Sequence, residues 1–304
     1  MNNSTDLCAL ACYFNPEGYR SRRDNFEIFR NSLIASAVPH YIIELIVNTG
    51  QSEISGTNVF RVRCNSLMWQ KERLLNILLR RVPERYTKIA WLDADILFED
   101  GGWIERTSQE LERSVVVQPF DTPVRLPAAH YTYRGVGPRH FSFCEAFLKN
   151  PDLYKTGSYR DHGFTGYAWA SRREILTKVG LYDACLSGSG DHVMAHAFCG
   201  DWTSECIVRI FGQNTKYLWH FQQWAQRVDR EVSSRIGSVR GKVFHLWHGS
   251  YGNRKYSQRD SELRDIEFDP ARHLKANKDG CWEFADGFDP AFFSNYFSCR
   301  KEDS

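Results

Sequence analysis

Apolar and polar positions in the first two thirds of the chain alternate between two periods. Residues 7–14 are almost continuously apolar and end in Asn15-Pro16-Glu17-Gly18, which predicts a buried strand closed by a turn. Phe26, Phe29, Leu33 and Ile34 then recur at helical spacing, and Pro39 stops that helix. A second strand is predicted over 41–47, closed by Asn48-Thr49-Gly50, and a short third over 59–64. Leu67, Leu74, Leu75 and Leu78 line one face of a helix over 67–82 that Pro83 ends. Residues 88–92 read as a buried strand running directly into Asp93-Ala94-Asp95, and a helix over 103–113 and a strand over 114–118 follow. Regularity then lapses. Residues 119–162 are rich in Tyr, His, Pro and Arg, the mark of a substrate-binding insertion more than of a linker. It returns with a strand over 166–171, a helix over 172–179, a helix from Asp191, one or two helices within 201–231 and a strand over 243–246. From 251 onward the chain is charged and aromatic with little period, and it contains no internal repeat.

This order predicts an α/β fold, a mostly parallel central sheet with helices on both faces. In such sheets ligands collect at the carboxyl ends of strands, where the strand order reverses. Asp93 and Asp95 stand at such an end.

Composition narrows the function only a little. The 304 residues are 42% hydrophobic and 25% charged, which excludes a disordered tail, a collagen-like rod and a coiled coil. Lys and Arg (39) nearly balance Asp and Glu (37), so no overall field holds a polyanion. No run approaches the ~20 apolar residues that span a bilayer, and MNNSTDLCALACYF lacks the basic and apolar regions of a signal peptide. The nine cysteines are odd in number and form no CxxC pair, which points to reduced thiols and a cytoplasmic protein. Aromatics reach 14%, and Trp169, Trp202, Trp219, Trp224 and Trp247 offer either core packing or platforms for sugars.

The sharpest chemistry lies in KIAWLDADILFED, residues 88–100. Two carboxylates one residue apart at a strand mouth repel, and a cation relieves them. Hard oxygen ligands suit Mg²⁺ or Mn²⁺, which bridge to phosphate. A lone pair of this kind also caps turns, but the apolar run before it and the acidic loop after it favour the metal. The haloacid-dehalogenase-like phosphatases share such a DxD, yet Leu97 stands where they carry Thr or Val, and the late GDxxxD that Gly190-Asp191 begins ends in Ala195.

An ordered set of motifs resembles the GT-A nucleotide-sugar glycosyltransferases over most of the chain. CYFNPEGY resembles their first strand and nucleotide-facing loop, and LMWQKERLLN with KIAWLDADILFED their helix and DxD strand. GFTGYAWASRREIL (163–176) resembles the segment near sugar and acceptor, and LSGSGDHVMAHAF (186–198) the Gly-rich stretch before an acidic catalytic residue, although Gly190 stands where the family often has Glu. VFHLWHGSYGNRKY (243–256) resembles the late His that completes the metal site. The resemblance implies a metal-dependent transferase with Mn²⁺ or Mg²⁺. The donor is a nucleotide sugar, a UDP-sugar first, and the acceptor a glycan, small molecule, protein or modified nucleic-acid base. It implies Asp95 as direct metal ligand, Asp93 on the ribose or a metal-bound water, and His248 or His245 as a third ligand. Asn15 and Gly166 fall to the donor, Arg254 and Lys255 to its diphosphate. Asp191 is the expected general base of an inverting reaction, since a helix start favours the carboxylate. The expected organisation is one catalytic domain over 1–250, with a nucleotide half (1–118) and an acceptor half (119–250), and a lid and tail over 251–304 packed on it. A phosphatase, or a GT-A-like binding module without catalysis, are the alternatives. Lys71 and Glu72, and the Arg20, Arg22, Arg23 cluster, read at least as well as solvated faces as nucleotide contacts.

Overall fold

The computed structural model describes residues 5–133, 140–156, 159–254, 259–288 and 291–304. The opening apolar run forms strand β1 (Leu7–Tyr13), and helix α1 (Arg20–Ala35) returns the chain to β2 (His40–Val47) and β3 (Val59–Cys64). Helix α2 (Lys71–Leu79) leads into β4 (Lys88–Leu92), every residue of which is buried. The strand β5 (Ile96–Phe98), helix α3 (Trp103–Glu110), and strands β6 (Val116–Gln118) and β7 (Thr122–Arg125) follow. The irregular stretch holds two short helices, α4 (Phe143–Lys149) and α5 (Tyr159–His162), before β8 (Ala168–Arg172) and α6 (Arg173–Val179). Next come α7 (Gly190–Phe198), α8 (Glu205–Phe211), α9 (Lys216–Val232), β9 (Ile236–Ser238) and β10 (Lys242–His245). The tail is more regular than its composition suggested, with α10 (Arg259–Asp265), α11 (Pro270–His273), the hairpin β11 (Leu274–Ala276) and β12 (Trp282–Phe284), and α12 (Phe292–Ser298).

Seven strands form the central sheet in the order β3-β2-β1-β4-β8-β6-β9. β3, β2, β1 and β4 run parallel, β8 is antiparallel to both its neighbours, and β6 pairs parallel with β9. The sheet is thus mostly parallel, with β8 as the antiparallel insert. Its two faces are covered by separate apolar clusters. One is built on Leu74, Leu78, Trp91, Trp169 and Phe221, the other on Phe26, Phe29, Ala90, Leu92 and Trp103. Strand order reverses between β1 and β4, so the cleft opens at the carboxyl ends of those two strands. A second, three-stranded sheet, β5-β10-β7, stands at that end.

The helix predicted from residue 67 starts at Lys71 instead. Residues 67–70 keep the apolar spacing but are used otherwise: Trp69 N donates to Leu186 O, and the Gln70 side chain bonds Trp282. Ile34, placed on the buried face of α1 by its spacing, is 54% exposed. All nine cysteines are free thiols. Among the described residues no helix is long and apolar enough to cross a membrane.

Candidate functional site

The turn Asp93–Asp95 links the central sheet to the smaller one. Asp93 is clasped from β8: its N–H donates to Tyr167 O at 2.7 Å, and its Oδ2 accepts from Tyr167 N at 3.1 Å. Tyr167 takes a left-handed backbone (φ 79°) to do this, a conformation a non-glycine residue holds only under tertiary constraint. β5 then pairs antiparallel with β10, setting His245 opposite Ile96, and Leu246 N donates to Asp95 O at 2.9 Å. A sequence separation of about 150 residues is thereby closed by strand pairing alone.

The result is a cluster of Asp95, His245 and His248 whose ligating atoms lie within 4.8 Å of one another. Asp95 Oδ2 is 3.0 Å from His248 Nε2, and Asp95 Oδ1 is 3.7 Å from His245 Nε2. The two Nε2 atoms are 3.3 Å apart. Asp95 Oδ1 is buried with no hydrogen-bond partner among the described residues, a cost a fold accepts where a cation binds. Burial opposes charge on Asp95, but the His245 and His248 rings and Arg22 outweigh it and hold the carboxyl below the ordinary carboxylate range. Burial pushes the His245 imidazole down to about 3, which keeps its lone pair available. One carboxylate and two imidazoles are acceptable to Mn²⁺ and less so to Mg²⁺. Arg254 lies beside them, its Nη2 3.0 Å from His248 Nε2.

Asp93 stands apart from this cluster and faces the other side of the cleft. Its Oδ1 is 2.8 Å from Lys71 Nζ, and the same ammonium is 2.5 Å from Asp191 Oδ2. Lys71 is therefore no solvated residue: it is buried at the start of α2 and joins the DxD turn to the first turn of α7. Burial opposes the Lys71 charge, but Asp191, Asp93 and Glu72 raise it well above its ordinary value. Loss of water raises Asp93 to about 6 against the pull of Lys71. Glu72, also buried, is pushed up by burial to about 8 and so carries its proton at neutral pH. Its carboxyl fills the space a side chain at 190 would take, for a Cβ on Gly190 would meet Glu72 Oε1 at 2.4 Å.

These groups line one cleft of about 1230 Å³, larger than the ~300–1,000 Å³ of most small-molecule sites. Gly166 lies on its wall, with open space where its side chain would be. Asn15 does not reach the cleft. Its side chain closes the loop after β1, accepting from Tyr19 N at 2.9 Å and donating to Glu53 Oε2 at 2.9 Å. Lys255 lies outside the described residues, as does part of the expected lid. Of the five tryptophans offered as platforms none lines the cleft; Trp169 and Trp224 are core residues and Trp219 is 63% exposed. Trp69 lines it instead, with the guanidiniums of Arg22 and Arg300 5.8 and 5.7 Å from its ring.

The tail contributes a residue that no sequence pattern marked. Glu302 is 1% exposed, pairs with Arg22 and Arg300 at 2.5 Å each, and sets Oε2 3.5 Å from His248 Nδ1. Burial works against its charge, yet Arg22, His248 and Arg300 hold its carboxyl below the ordinary range. Arg22 is thus turned inward, while Arg20 and Arg23 are exposed. A carboxylate behind a ligating imidazole fixes its tautomer and orientation.

No protein-family model matches the chain, and no curated protein matches it. Among solved structures it is similar to glucosyl-3-phosphoglycerate synthase from Mycobacterium tuberculosis in complex with Mn²⁺, UDP and glucosyl-3-phosphoglycerate. That chain is 12% identical with a TM-score of 0.45, over 93% of this chain and 88% of that one. Mannosyl-3-phosphoglycerate synthase from Rubrobacter xylanophilus is 11% identical with a TM-score of 0.42, over 92% and 86%. The catalytic domain of Drosophila beta1,4-galactosyltransferase 7 is 13% identical with a TM-score of 0.38, over 76% of this chain and 64% of that one.

Proposed function

We propose that this protein is a metal-dependent glycosyltransferase, moving a sugar from a nucleotide-diphosphate sugar, a UDP-sugar first, to an acceptor hydroxyl with inversion. The observation that carries the reading is the convergence of Asp95, His245 and His248 at the carboxyl end of β4, on the floor of a cleft with room for donor and acceptor. Asp95, His245 and His248 would hold the cation, which neutralises charge on a leaving diphosphate. Arg254 stands next to that position and offers a second positive charge to the same oxygens. Glu302 Oε2 stands 3.5 Å behind the His248 ring, at Nδ1. Asp93, clasped by Tyr167, turns to the other wall and meets Lys71 there.

On the other wall, Lys71 takes Asp191 Oδ2 and leaves Oδ1 to accept the proton of an acceptor hydroxyl. The Lys71 ammonium, 2.5 Å from Oδ2, orients that carboxylate before substrate arrives. The phosphatase alternative lacks its late carboxylate, since position 195 is a fully buried Ala. The test is donor turnover across UDP-, GDP- and TDP-sugars with Mn²⁺, followed by NMR of the nascent product. An inverted anomeric centre, and a loss of ~10²–10⁴-fold in transfer for Asp191→Asn with donor affinity kept, are the expected results. A retained configuration overturns the role of Asp191, and absence of turnover for every donor overturns the transferase reading.

A further inference from the structure

A second group of ligand-type side chains, separate from the Asp95 cluster, gathers around α7, and one member, His192, borders the cleft. His192 and His196 sit four residues apart on α7 and share one face of it. His162 ends α5, and Cys206 lies in the first turn of α8. All four are 2% exposed or less. One ligating atom from each falls within 4.8 Å of those from the others.

The detail favours a metal over a dry core. His196 Nδ1 is 2.6 Å from Asp201 Oδ2, and Asp201 is itself fixed by the backbone N–H groups of Thr203 and Ser204. The carboxylate puts the ring proton on Nδ1 and leaves the Nε2 lone pair facing the cluster. Nε2 is fully buried with no hydrogen-bond partner among the described residues. A carboxylate–imidazole pair with the far nitrogen left open is the arrangement found behind zinc-bound histidines. Cys206 Sγ lies 3.7 Å from His162 Nε2. In a tetrahedron with Zn–N near ~2.0–2.1 Å and Zn–S near ~2.3 Å, the N···S edge is about 3.6 Å. Three rings with centroids 4.7 to 5.4 Å apart form a polar centre where apolar side chains would otherwise fill the space.

We infer that His162, His192, His196 and Cys206 form a closed zinc site that anchors the helix carrying Asp191. Three imidazoles and one thiolate suit Zn²⁺, whereas Mn²⁺ and Mg²⁺ prefer oxygen. On binding, the Cys206 thiol gives its proton to solvent and the sulfur bonds the metal. Four protein ligands leave no open position, so the site is structural. It ties α5, α7 and α8 together, and His192 is the neighbour of Asp191 in the first turn of α7. The inference does not depend on the transferase reading, because its ligands and its metal are different.

The test is metal analysis of the full chain produced in zinc-supplemented medium and dialysed against EDTA. One zinc per chain is expected. Asp95→Asn should keep it, while Cys206→Ala and His196→Ala should lose it. Should those variants not fold, the wild type decides alone. Refolded with Co²⁺ in place of zinc, it should show the near-ultraviolet thiolate-to-cobalt charge-transfer band and the visible bands of a tetrahedral ion. Wild-type protein without zinc and without that band overturns the site, as does zinc that disappears with Asp95→Asn but survives Cys206→Ala.

Discussion

Lys71→Met tests the link between the two walls of the cleft. Methionine keeps the length and most of the volume of the side chain and removes the ammonium. Lys71 Nζ lies 2.8 Å from Asp93 Oδ1 and 2.5 Å from Asp191 Oδ2. At an effective dielectric of ~20, each contact is worth about 6 kcal/mol before desolvation is subtracted. The net loss is set by what remains. Two carboxylates, no farther apart than the two contacts laid end to end, would face each other without a cation and repel by about 3 kcal/mol. Breaking a buried pair by removing one partner costs roughly 3–5 kcal/mol, and that is the destabilisation expected near neutral pH. It should be relieved by acid. Asp93 already titrates at about 6 in the fold, against an ordinary value of 3.8. A carboxyl raised in the folded state contributes stability below its unfolded pKa, and loses it as pH rises through the folded one. Without Lys71 that window widens upward, so the stability gap between variant and wild type should shrink as pH falls from about 8 to about 5. Urea unfolding at several pH values measures this. A loss below about 1 kcal/mol that is flat with pH would mean a solvated, dispensable lysine and no link between the two walls.

Two further perturbations address the rest of the site. Glu72, at about 8 in the fold, holds a proton that the unfolded chain gives up above ~4.5. The wild type should lose stability from about pH 5 to about pH 8 relative to Glu72→Gln, by ~1.4 kcal/mol for each unit of raised pKa that titrates in that range. A constant difference in urea midpoints across that range contradicts it. Glu302→Gln keeps the shape but leaves Arg22, Arg300 and His248 without their shared anion. Mn²⁺ affinity measured by calorimetry should weaken ~10–100-fold, and unaltered affinity would remove Glu302 from the site.

The central strands and the position of the DxD turn were legible because burial on both faces leaves a continuous apolar run that ends abruptly in polar residues. Strand β4 has the bounds its pattern predicted. The start of α2 was not, since residues 67–70 keep helical spacing while their hydrogen bonds go to Leu186 and Trp282, which no local pattern reveals. Lys71 and Arg22 read as solvated because charged side chains on a helix usually are. What draws them inward is a carboxylate from a distant segment, Asp191 in one case and Glu302 in the other. Glu302 sits in a charged tail without period, and its partners Arg22 and His248 are about 280 and about 54 residues away along the chain. The His162, His192, His196 and Cys206 group carries a single local cue, the four-residue spacing on α7. The left-handed turn at Tyr167 that clasps Asp93 carries no cue at all.

A cation held by Asp95 together with the late histidines is what the proposed function requires. Isothermal titration of UDP into the protein, with and without Mn²⁺, and into Asp95→Asn, tests it most directly. That role of the cation predicts binding to wild type with Mn²⁺, little or none once the metal is chelated, and none to Asp95→Asn with metal present while its unfolding transition is retained. Equal UDP affinity in excess EDTA, or in Asp95→Asn, would contradict it.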